Sequence, residues 1–190
     1  MTISELMKKA RSFRSFKSGV TIEKETLLSF IDNARISAAT MNLQPLKYRI
    51  VTGDEVAKVL PLTRWAASLK NVKLPPEGHG PSAFIVICHD NAITPFKPIF
   101  LKDVGIVAEV IMLSAVEAGY GGCMIGSANS ESVKDVLSLP DGLEPELILG
   151  LGVPDETVVL TEAEDGNVTY YRDENNVHYA PKRRLEDIIV

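Results

Sequence analysis

Two basic clusters lie at opposite ends of the chain, Arg11 with Arg14 near the start and Lys182, Arg183 and Arg184 near the finish. Guanidinium and ammonium groups grip a dianionic phosphate, and the hydroxyl of Ser12 stands between the two N-terminal guanidinium forks. Between the clusters, residues 37–45 bring Thr40, Asn42 and Gln44 close together just ahead of Pro45. Their side chains compete with the backbone unless they have assigned partners, and amides offer the paired donors and acceptors that the edge of a planar heterocycle requires. A third segment, residues 119–127, is rich in glycine and lets a ligand approach backbone N–H groups closely. The chemistry predicted is capture of a phosphorylated, planar, electron-rich ring. Each piece alone also has a plain structural reading: a solvated helix end, a charged guard on a strand edge, a turn-forming Asn42, a glycine-terminated helix. Their joint presence in one small chain favours a shared anion.

These residues must be positioned by a framework that is partly readable. Residues 5–11 predict a short helix, and Thr21 caps a second in which Leu27, Leu28, Ile31 and Ala34 follow helical spacing. Pro45 stops helical propagation, a strand through Tyr48, Ile50 and Val51 ends at Gly53, and a helix follows over residues 55–60. Residues 64–80 read as a loop, either a lid or binding element or a disordered segment, beside which Trp65 is a core anchor or a surface for a substrate to stack on. The continuous apolar run 83–88 predicts an interior strand. Residues 103–118 form the most hydrophobic helix, with Val104, Val107, Ala108, Ile111, Met112, Ala115 and Ala118 on one stripe and Ile106, Val110 and Leu113 on the other side. A helix apolar all round exceeds what one small chain can wrap, which predicts a subunit interface. Beyond it come a short strand through Cys123, Met124 and Ile125, a helix over 131–137, and a strand over 146–153 with Leu147, Leu149 and Leu151 on one face. A hairpin is predicted across residues 173–176, and the apolar end, residues 185–190, is expected to bury itself on a sheet edge of this chain or a partner's.

Composition narrows the function. A chain of 190 residues suits one domain, and its net charge of -5 argues against nucleic acid or an anionic membrane as partner. The longest apolar stretch is broken by Glu109, Ser114 and Glu117 and falls short of the roughly 20 residues of a membrane span. No secretory signal pattern is visible, and Cys88 and Cys123 are too few for a disulfide framework or a zinc site, so a cytoplasmic location is expected. His79, His89 and His178 lack metal-ligand spacing and are assigned no catalytic role; Cys123 reads as a small buried residue rather than a nucleophile.

In their order and spacing, residues 11–16, 37–45, 103–127, the Leu139–Pro140 pair before the later strand, and residues 181–185 resemble the nitroreductase family of FMN-dependent oxidoreductases over nearly the whole chain. The resemblance implies an α+β fold, a mixed, mostly antiparallel sheet flanked by helices, in an intertwined homodimer with FMN at each of two interface sites. It implies that Arg11, Ser12, Arg14, Lys182 and Arg184 hold the phosphate and ribityl chain. Thr40, Met41, Asn42 and Gln44 would line the isoalloxazine ring, partly from the second subunit, while Met124, Ile125, Gly126 and Ser127 cover its other face and N5 edge. The sequence departs from the family pattern at Ala10, where a second basic residue is frequent, at Glu109, where an amide is common, and at Ala39, where a small or polar residue is usual. The implied activity is ping-pong transfer of a hydride from NADH or NADPH to a nitroaromatic or quinone acceptor through the cofactor. Reductive dehalogenation, flavin fragmentation, or flavin binding without catalysis are the alternatives on the same scaffold.

Overall fold

The computed structural model describes residues 1–66, 69 and 72–190; residues 67, 68, 70 and 71 of the expected loop lie outside that description. At its centre is a four-stranded sheet built from β1 (Leu46–Val51), β2 (Ala83–Asp90), β3 (Gly121–Ile125) and β4 (Leu143–Gly152) in the order β1-β2-β4-β3, every pairing antiparallel. Helices α2 (Lys24–Arg35) and α4 (Leu101–Glu117) cover one face, while α3 (Asp54–Val59) and α5 (Ser130–Val136) pack on the other. With both faces covered, β2 is buried along nearly its whole length: Ala83, Ile85 and Ile87 join the cluster under α2 and α4, and Phe84, Val86 and Cys88 join the opposite one. Leu147, Leu149 and Leu151 share the α2–α4 side, as their alternation predicts.

Local signals move several boundaries. Helix α1 (Ile3–Lys9) begins earlier than residues 5–11 suggest, because Thr2 and Glu5 form a capping box: the Thr2 hydroxyl accepts from Glu5 N at 3.3 Å and Glu5 Oε2 accepts from Thr2 N at 2.7 Å. Thr21 does not cap α2. Ile22 is drawn into the core ahead of the helix, and the cap position falls to Glu23. In α4 the predicted stripe is buried as far as Ala115, but Ala118, past the helix end, is exposed; Ile106 is also exposed, and Val110 and Leu113 are half-buried.

The last quarter of the chain holds a second sheet. Strands β5 (Val158–Glu162), β6 (Tyr171–Arg172) and β7 (His178–Lys182) lie in the order β5-β7-β6, with β5 parallel and β6 antiparallel to β7. The β6–β7 hairpin follows the expected turn; β5 has no counterpart in the sequence reading, because its partner lies some twenty residues on. The apolar end does not join a sheet edge of this chain: residues 185–190 run as turn and coil, with Leu185, Ile188 and Ile189 exposed.

Candidate functional site

The N-terminal basic loop lies alongside β3. Phe13 N donates to Gly122 O at 2.9 Å, and a parallel bridge joins Ser12 to Gly122. That register sets Arg14, only 9% exposed, beside the end of β3. A cleft of about 310 Å³ opens there, lined by Arg14, Arg64, Trp65, Ala66, Tyr170 and the stretch from Cys123 through Met124, Ile125 and Gly126 to Ser127. Arg64 and Ser127 also line an adjoining hollow of about 500 Å³, floored by Pro61, Leu62, Asn129 and Ser132; the two residues are joined where Arg64 N donates to Ser127 O at 2.9 Å. Gly126 faces open space, so the backbone there is accessible to a planar ligand. Gly121 and Gly122 serve packing instead: Phe13 and the Gly150 carbonyl sit where a Cβ would be.

Trp65 is a core anchor with one edge on the cleft. Its Nε1 donates to Thr63 Oγ1 at 2.7 Å, and its ring meets Phe16 edge-on with centroids 6.3 Å apart. Cys123 is buried, and burial pushes its thiol up, so it is no thiolate nucleophile; the same cause drives Cys88 up to about 12.

Arg14 is surrounded from the C-terminal sheet. Its Nη1 donates to Ser12 O at 3.1 Å and lies 3.4 Å from His178 Nε2, and its Cζ sits 5.4 Å from the Tyr170 ring centroid. A guanidinium only donates, so Nε2 is the acceptor and the imidazole proton resides on Nδ1. Burial first, then the charges of Arg14 and Arg172, bring His178 down to about 4, keeping it neutral. Glu156 accepts from the backbone amides of Arg14 and of Ser15, the latter at 3.1 Å, while its other oxygen accepts from Arg172 Nη2. Arg14 Nε is buried without a partner among the described residues.

The remaining basic candidates lie apart from this cleft. Arg11 turns back to donate from Nη2 to Met7 O, and its side chain comes under the charge of Glu109. Lys182 ends β7, four residues or about 13 Å along the strand from His178. Arg184 pairs loosely with Glu162 at 3.7 Å and Glu186 at 3.5 Å.

Residues 40–44 form a separate, strained loop. Met41, Asn42 and Gln44 have φ of 51°, 54° and 51°, a left-handed conformation that non-glycine residues adopt at a cost. Asp103, 3% exposed at the start of α4, pins it: Thr40 N reaches both carboxylate oxygens at 3.0 Å and Thr40 Oγ1 donates to Oδ1 at 2.8 Å. Thr40 is therefore engaged, whereas Met41, Asn42 and Gln44 are exposed, with Gln44 Nε2 donating to Asn42 Oδ1 at 3.1 Å. None of these residues lines the Arg14 cleft within one protomer. Below the loop, a pocket of about 130 Å³ runs past Ser37, Ala39, Gln44 and Tyr48, whose hydroxyl burial raises to about 12. Sequence reading did not pick out Asp103, Glu156, Tyr170, Arg172 or His178 as site residues, since each acquires its role through contacts made across the fold.

This antiparallel sheet between helix pairs, with a basic loop beside its edge strand, has known counterparts. The nitroreductase family model matches residues 7–153, and the chain belongs to that family. Solved structures of like fold include a nitroreductase family protein of Clostridium difficile 630, 27% identical with a TM-score of 0.65 over 82% of this chain and 86% of that one. A nitroreductase family protein of Streptococcus pneumoniae TIGR4 is 18% identical with a TM-score of 0.72, covering 100% of this chain and 99% of that one. The FMN and NADPH-dependent nitroreductase NfnB of Sphigopyxis sp. strain HMH is 17% identical with a TM-score of 0.66, over 82% and 89%. The sheet of β5, β6 and β7 lies beyond the matched segment.

Proposed function

We propose that the protein is an FMN-dependent oxidoreductase that draws reducing equivalents from NADH or NADPH and delivers them to a nitroaromatic or quinone-like acceptor, acting as a homodimer. The observation that carries this reading is the cleft joining Arg14, whose buried Nε has no partner among the described residues, to the backbone of Met124, Gly126 and Ser127. An anionic phosphate would satisfy that donor, and a flat ring suits the open space over Gly126. Arg14 and Ser12 would hold the phosphate, whereas Arg11, Lys182 and Arg184, which lie apart from the cleft, would have to swing toward it to join them. Met124, Ile125, Gly126 and Ser127 would bear on the ring, and Met41, Asn42 and Gln44 would reach it from the second subunit, which accounts for exposed amides on a strained loop where Gln44 bonds only to Asn42 among the described residues. Thr40 acts through Asp103 to hold that loop.

When bound, FMN supplies the electron-transfer chemistry. Among the described residues, those lining the cleft include no carboxylate or imidazole, and the work proposed for the site is to bind, orient and exclude water. The two substrates would use the cleft in turn, as in ping-pong kinetics. Exposed Leu101, Ile106, Met41 and Leu43 support pairing of two copies, and the exposed Ile188 and Ile189 support a C-terminal arm laid on the partner. Among the described residues no helix is long and apolar enough to cross a membrane.

The decisive experiment is anaerobic spectroscopy of purified protein reconstituted with FMN. Stoichiometric uptake, bleaching by NADH or NADPH, and recovery of the flavin spectrum on adding a nitroaromatic or quinone are expected. Protein that takes up no FMN defeats the reading; uptake without bleaching by either nicotinamide reduces it to flavin binding.

A further inference from the structure

We propose that the C-terminal sheet is a positioning shell for Arg14, in which Glu156 holds its main chain and Tyr170 and His178 hold its guanidinium at the cleft, and that this shell makes the site select a phosphorylated flavin over an unphosphorylated one. The inference rests on the FMN reading above and extends it to residues outside the family-matched segment. Arg14 lies in a loop, and a long side chain on a loop has many rotamers to lose when it binds an anion. Here that freedom is removed before any ligand arrives. The buried Glu156 carboxylate, 4% exposed at its side chain, grips the main chain at two successive amides, Arg14 N and Ser15 N. Arg172, 8% exposed, neutralises the carboxylate from its far side. The Tyr170 ring lies against the guanidinium as a cation–π surface, and Tyr170 in turn packs on the His178 ring with centroids 5.3 Å apart. His178 Nε2 and Ser12 O both draw on Nη1, leaving Nε as a buried donor without a partner among the described residues, on a side chain that lines the cleft. Three elements of the second sheet therefore converge on one residue: the approach to β5 carries Glu156, which holds the Arg14 main chain, while the approach to β6 carries Tyr170 and β7 carries His178, which meet its guanidinium.

Riboflavin, which has the ring and no phosphate, separates this role from general support of the fold. Flavin-free protein is titrated with FMN and with riboflavin, following the quenching of flavin fluorescence, in the wild type, His178→Phe and Glu156→Ala, which removes the acceptor of both backbone amides. The wild type is expected to prefer FMN, and each variant to lose about tenfold in FMN affinity with riboflavin affinity unchanged, the scale of one hydrogen bond to a charged group. His178→Phe keeps the bulk of the ring, so it serves where Glu156→Ala, which leaves Arg172 short of its partner, fails to fold. Equal weakening of both flavins in folded His178→Phe, or an unaltered preference, overturns the inference while leaving the FMN reading intact. A wild type that binds both flavins equally also overturns it, and one that binds neither overturns both.

Discussion

Asp103 and His178 are buried polar residues, each holding a neighbouring segment through its side chain. The Asp103 carboxylate accepts two donors from Thr40 and so restrains a loop with three left-handed residues. Asp103→Ala removes both acceptors at once and is expected to destabilise the protein by about 1–3 kcal/mol, whereas Thr40→Val, which keeps the backbone contact, costs about 1 kcal/mol. Urea unfolding midpoints of the two variants check the order. His178 must remain neutral among Arg14, Arg172, Glu156 and Tyr170, and its folded value of about 4 lies below the ordinary 6.5. Between those values the unfolded chain binds more protons, so this contribution to stability is complete above about pH 6.5 and drains away as the pH falls toward 4. Thermal melting across that window should show a steeper loss in the wild type than in His178→Phe, and parallel curves would remove His178 as the cause.

At the level of elements, strand β3 is confined on both sides. A Cβ at Gly122 would come to 2.5 Å from the Gly150 carbonyl oxygen on β4 and 2.7 Å from a Leu151 methyl. Gly122→Ala is therefore expected to cost about 1–3 kcal/mol and to displace the Phe13 contact that registers the basic loop. A melting temperature equal to that of the wild type would show that the strand pair yields more easily than its packing implies. The elements legible in the sequence were those whose pattern is local: the apolar run of β2, the alternating leucines of β4 and the stripe of α4. Thr21 misled because a good capping residue lost to the burial of Ile22. Strand β5 escaped because a parallel pairing with β7 depends on chain far away in sequence.

The whole molecule leaves apolar surface on α4 and on the 40–44 loop that one copy does not cover. Ile106→Glu places a charge in the proposed dimer seam and should shift sedimentation toward monomer while leaving far-ultraviolet dichroism unchanged; a dimer that persists would locate the seam elsewhere. The sequence by itself determined the family pattern, the presence of basic and amide groups suited to a phosphate and a ring, and one interior strand, because residue type and period are local properties. Only the tertiary structure decided which of those groups meet. Arg14 reached the cleft because β3 holds its loop in register and the second sheet closes around it, whereas Arg11 was turned onto α1 and Arg184 onto Glu162 and Glu186. Such choices depend on burial and on partners distant in the chain, and no spacing along the sequence encodes them.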